Sequence, residues 1–123
     1  MDTTGTFETA KVLGQMQVLT ALHKFYSVED WGEHSKDIDF QNIVLTIGSS
    51  SEELEKGKEL LGLYPEVNFV CLDVANGYRE HFIEAVSKAR TEFPEKIIIQ
   101  YKFYYLFYNE KYFFSYNLII QKY

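Results

Sequence analysis

The sequence predicts an α/β fold made of parallel β/α repeats. Two observations carry this: regular alternation of strand and helix signals, and apolar runs that are nearly continuous. Four such runs begin near residues 18, 42, 67 and 96, one every 24 to 29 residues. Segments with helix caps, amphipathic spacing and breakers separate them. Continuous rather than alternating apolar character marks strands covered on both faces, as in a parallel sheet. Crossovers of one hand then bring all strand carboxyl ends to a single rim, where ligands usually bind in such folds.

Taken in order, Met1 to Gly5 reads as a loop entering a helix capped by Thr6, with Phe7, Ala10, Leu13 and Met16 at helical spacing. Val18 to Leu22 is the first strand and ends on His23-Lys24. Ser27-Val28-Glu29-Asp30 has the form of a reciprocal helix cap and predicts Trp31 as the buried residue behind it. Asn42 to Ile47 is the second strand. It ends on Gly48-Ser49-Ser50, from which a helix carries Leu54, Leu60 and Leu61 inward until Pro65 closes it. Val67 to Leu72 is the third strand, followed by Asp73 and by the Asn76-Gly77 turn. A helix opens near Arg79, its stripe formed by Phe82, Val86, Ala89 and Phe93, and Pro94 stops it before Lys96-Ile97-Ile98-Ile99 begins a fourth strand.

A carboxylate at the end of a buried strand needs a partner or water, which places Asp73 on the rim. Topology brings His23-Lys24, Gly48-Ser49-Ser50 and the segment Asp73 to Gly77 together there. Lys24 can neutralise a phosphate or meet a carboxamide-bearing ligand; otherwise it is a solvated lysine. Asp73 can orient a ribose or nicotinamide group, or merely cap the turn that follows. Gly48-Ser49-Ser50 can bind an anion at a helix N-terminus, although capping alone explains it. Cys71 lies inside an apolar strand without a basic neighbour, so a raised pKa and an inert thiol are expected. His34 and His81, on helices beside acidic residues, are expected at the surface. No His, Cys or carboxylate pair has metal-ligand spacing, and neither glycine-rich phosphate motif occurs.

The totals narrow the function classes. With 123 residues and a net charge of −6, the chain is a poor electrostatic partner for nucleic acid or anionic membrane. A single cysteine excludes an internal disulfide and suits a reducing compartment. No signal-peptide layout and no apolar run of about 18 residues is present, so a cytoplasmic protein is expected. Composition breaks near Gln100: residues 1–99 hold 17 acidic and 10 aromatic residues, whereas residues 100–123 hold one acidic and 11 aromatic ones. Two units are therefore expected, a β/α domain over 1–99 and an aromatic-rich tail over 100–123. The tail is dominated by residues with A- and T-rich codons, which points to translated non-coding sequence; a single dominant spliced transcript encoding it would count against that origin. Four strands make half of an eight-stranded barrel or most of a small open sheet, and a full barrel usually needs about 250 residues.

Three blocks add a resemblance. Met1-Asp2-Thr3-Thr4-Gly5-Thr6-Phe7-Glu8, Ala21-Leu22-His23-Lys24-Phe25-Tyr26-Ser27 and Cys71-Leu72-Asp73-Val74-Ala75-Asn76-Gly77-Tyr78-Arg79-Glu80-His81-Phe82 resemble the GMP reductases of the IMP dehydrogenase/GMP reductase family. The similarity runs in one register from residue 1 to about 99. It implies about half of a (β/α)8 TIM barrel from a homotetrameric enzyme that converts GMP to IMP and ammonia with NADPH. By the same resemblance Lys24, Asp73, Val74 and Ala75 are NADP(H)-binding residues. A monovalent cation supports the family's catalytic cysteine loop, and neither that loop nor the GMP phosphate loops match anything here. Cys71 does not stand in for the missing nucleophile, and Phe25 replaces a residue that is often histidine. The resemblance thus implies a reductase segment inactive by itself. Two other readings stand beside it: a non-catalytic chain that joins intact reductase subunits through open sheet edges, and a small domain that only binds nucleotide.

Overall fold

The computed structural model describes residues 5–73, 79–108 and 111–121, with side chains described within 5–73 and 83–99. Hydroxyl caps start the helices where the sequence places them. Thr6 accepts the Thr9 amide at 3.2 Å and opens α1 (Phe7–Gln15), which leads to β1 (Thr20–Ala21). Ser27 and Asp30 cap each other's amides at 3.1 and 2.8 Å to open α2 (Val28–His34). A 3₁₀ turn (Phe40–Asn42) feeds β2 (Ile43–Ile47), and Ser50 caps α3 (Ser51–Leu63) by accepting the Glu53 amide at 3.2 Å. There follow β3 (Phe69–Asp73), α4 (Arg79–Glu92), β4 (Ile97–Tyr108) and β5 (Lys111–Gln121).

The strands lie side by side in chain order, β1 to β4 parallel and β5 antiparallel to β4. The position at which composition changes, Ile99/Gln100, falls inside β4. Strand order without a reversal matters, because a doubly wound sheet changes direction at a switch point and puts helices on both faces. Here the helices share one face. Leu22, Ile43, Leu45, Ile47, Val70, Leu72 and Ile98 form a single core cluster with Phe7 and Ala10 of α1, Trp31 of α2, Leu54, Leu60 and Leu61 of α3, and Ala89 of α4 with the adjacent Phe93.

The opposite face is read from register. Ala21, Val44, Phe69 and Ile97 are partners in one row, and Thr46, Cys71 and Ile99 in another two residues on. Side chains alternate along a strand, so both rows point away from the helices. None of these residues belongs to the helix-packed cluster. An α/β sheet with consecutive parallel strands and one-sided helices is consistent with part of a β/α barrel, in which helices lie outside and the second face turns inward.

Three local expectations are corrected. The first strand is two residues long rather than five, since Gln17 takes a left-handed conformation at φ 56° and Val18 and Leu19 are exposed. Met16 does not extend the buried stripe of α1: it is the C-cap and is exposed. His34 is no surface group but a half-buried ring stacked on Phe7 with centroids 4.4 Å apart.

Candidate functional site

Parallel strands put the residues after β1, β2 and β3 on one rim, and the side chains meet there. The Lys24 Nζ lies 3.4 Å from Asp73 Oδ2, across the intervening strand β2. Both side chains keep part of their surface open, 26% and 41%. The ammonium also sits 5.8 Å from the ring centre of Phe25, a phenylalanine that projects into solvent. A cation, a carboxylate and an exposed planar face are thus grouped at the mouth of the sheet.

The loop carrying Lys24 is held from several sides. The His23 amide donates to the Gly5 carbonyl at 2.9 Å, and the Phe25 amide donates to His23 Nδ1 at 3.3 Å. The His23 ring stacks on Tyr26 with centroids 3.9 Å apart. Tyr26 packs in turn against Phe7, whose amide donates to the Tyr26 hydroxyl at 3.4 Å. From α3, Lys56 Nζ donates to the Lys24 carbonyl at 3.0 Å. Ser27, one residue past Tyr26, already belongs to the cap of α2.

The Gly48-Ser49-Ser50 turn serves capping. The Ser50 hydroxyl donates to Glu53 Oε2 at 3.0 Å, and the Glu53 carboxylate lies over Gly48 in the space a side chain would need. That carboxylate would repel an anion from the start of α3. Cys71 is buried on the helix-free face, two residues before Asp73. Burial, and then the negative charge of Asp73, push its thiol up to about 11. It is a protonated core group at neutral pH, not a nucleophile.

Of the sequence-predicted site residues, Lys24 and Asp73 come together. Val74, Ala75 and the Asn76-Gly77 turn lie outside the described residues, as do the side chains of His81 and Phe82. Sequence reasoning missed Lys56, which is 32 residues from Lys24 and carries no motif. It also missed the His23–Tyr26 stack, whose only signal was aromatic density between two elements. Among the described residues no group of three His, Cys, Asp or Glu could hold a metal ion, and no helix is long and apolar enough to cross a membrane.

The residues at the rim fit a nicotinamide dinucleotide by donor chemistry. Lys24 could offer an ammonium to a phosphate or carboxamide oxygen and Asp73 could accept from ribose hydroxyls or an amide, while Phe25 presents an open ring face.

No protein-family model matches the chain. Curated relatives named GMP reductase do. The chain is 49% identical to that of Citrobacter koseri over 102 residues, 46% to that of Yersinia enterocolitica over 101, and 43% to that of Vibrio parahaemolyticus over 101. Each match covers 80% of this chain, and the chain spans 29% of the length of these relatives. Through four-fifths of its length this is GMP reductase-like sequence.

Proposed function

We propose that this chain, a relative of the GMP reductases, carries the NADP(H)-facing rim of a partial β/α barrel whose complete relatives carry out reductive deamination of GMP to IMP and ammonia, and that it is inactive by itself. The observation that carries the reading is the Lys24–Asp73 pair at 3.4 Å. Two residues that the resemblance ties to the cofactor sit 49 positions apart in sequence and are in contact at the carboxyl rim. Relatives at 43 to 49% identity add the chemistry that such a pair would serve.

NADPH, when bound, supplies a hydride. The work of this chain is to bind and orient. Lys24 has three ammonium donors, so it keeps Asp73 and still meets a ligand oxygen. Asp73 holds the lysine in place and offers its free oxygen to a hydroxyl or amide of the ligand. By the resemblance Val74 and Ala75 belong to the same cofactor-binding segment. Phe25 shields one side from water. The setting is cytoplasmic purine nucleotide interconversion, with GMP and IMP as nucleotide partners and a homotetramer as the complete assembly.

Titration calorimetry of the full chain with NADPH tests this, with Asp73→Ala as control. Binding by the parent and about tenfold weaker binding by the variant are expected, the loss of one charge-assisted hydrogen bond. A parent chain that takes up no NADPH, or a variant that binds equally well, would overturn the assignment.

A further inference from the structure

We propose that Lys56 is a positioning residue for Lys24: its ammonium pins the Lys24 carbonyl at 3.0 Å and so sets the geometry from which Lys24 reaches Asp73. The cofactor consequence rests on the function proposed above, whereas the positioning itself does not.

The need for an anchor follows from the shortness of β1. Its ladder with β2 pairs only Thr20 and Ala21, and the Leu22 amide adds one bond to the Val44 carbonyl at 3.1 Å. Lys24 comes two residues later, past the sheet. A loop there is held by whatever reaches it from neighbouring elements. α3 follows β2 and packs beside it, which brings Lys56 to the side of the β1 loop. Its side chain is half-buried, so a charged donor on a neutral carbonyl is stronger there than it would be in open water.

The acidic groups around it do not take the ammonium away. Glu55 pairs with Lys58, and Asp30 is engaged by the Ser27 amide in the cap of α2. Two ammonium groups therefore converge on one residue, Lys56 on its backbone and Lys24 as its own side chain, with Asp73 facing the second.

The test compares the parent chain with Lys56→Met, which keeps the helix-compatible stem but cannot donate, and with Lys56→Arg, which can. Amine acetylation by limiting acetic anhydride, read at Lys24 by mass spectrometry, reports the anchor directly. Lys24 should react about fivefold faster in the methionine variant and return to the parental rate in the arginine variant, with thermal midpoints unchanged. NADPH affinity should follow the same order. Equal acetylation of Lys24 in all three proteins would overturn the proposal. If NADPH binds none of them while acetylation still separates methionine from arginine, Lys56 positions Lys24 and the cofactor reading fails alone. Lys56→Leu, which likewise cannot donate, replaces the methionine variant should that one not fold.

Discussion

At the scale of residues, two neighbours on β3 share a face and have opposite fates. Asp73 ends the strand half-exposed against Lys24, while Cys71 is closed off two positions earlier. The difference is one of solvent. A carboxylate at the rim is stabilised by an ammonium and by water, whereas a thiolate beneath it would have neither and would face the Asp73 charge. With the thiol at about 11 when folded against an ordinary 9.0, the folded chain holds its proton after the unfolded chain has released it. Stability from this group is complete below pH 9, falls as pH rises, and is gone above about 11. Two units correspond to roughly 2–3 kcal/mol as an upper order of magnitude. Urea titrations from pH 8 to 11 should therefore show a steep loss of stability in the parent and a shallower one in Cys71→Ala. Parallel slopes would mean that the thiol is not protected in this way. Iodoacetamide should modify Cys71 at neutral pH only after denaturant is added.

At the scale of elements, α3 shows how glycine differs by position within one helix. At Gly57 an added Cβ would lie 3.2 Å from Phe93 Cζ and 3.4 Å from Ile47 Cγ2, both buried side chains. At Gly62 nothing lies within 4 Å. Alanine favours a helix interior over glycine by about 1 kcal/mol, and overpacking a core costs about 1–3 kcal/mol. Gly62→Ala should raise the thermal midpoint, and Gly57→Ala should lower it despite the same gain in propensity. Calorimetric melts of both decide it; a stabilised Gly57→Ala would show that α3 and α4 have room to separate. The helix starts were legible beforehand because a cap is a local event: Ser27 meets Asp30 three residues away whatever the rest of the chain does. The first strand was less legible. Val18 and Leu19 have strand propensity, but the left-handed turn at Gln17 leaves them outside the ladder. His34 stacking on Phe7 and Lys56 reaching Lys24 were beyond reach for a related reason, since each joins elements whose contact is decided by packing. The meeting of Lys24 and Asp73 lay between these cases: parallel topology alone brings strand ends together, and topology was legible from the spacing of four apolar runs.

At the scale of the whole molecule, the proposed binding rim asks less of the fold than covalent chemistry would. The rim needs only neighbouring strands, and β1, β2 and β3 supply it. Covalent chemistry at a purine needs more: a thiolate that attacks carbon, which splits displacement of the amine and reduction into two easier steps. The sequence contains one cysteine, and it is the buried, protonated Cys71. Its strand residue points to the helix-free face, yet a thiol with a pKa near 11 is less than about a thousandth ionised at pH 7.5, by tenfold for each unit. The expected outcome is a chain that binds NADPH without consuming it. The 123-residue chain incubated with GMP and NADPH should leave the near-ultraviolet absorbance of reduced nicotinamide unchanged, and Cys71→Ala should behave identically. Turnover that persists in Cys71→Ala would locate the chemistry in a group other than a thiol. Turnover that vanishes with Cys71→Ala would mean that the buried thiol opens to substrate, and the division between a binding rim and an inert core would be wrong.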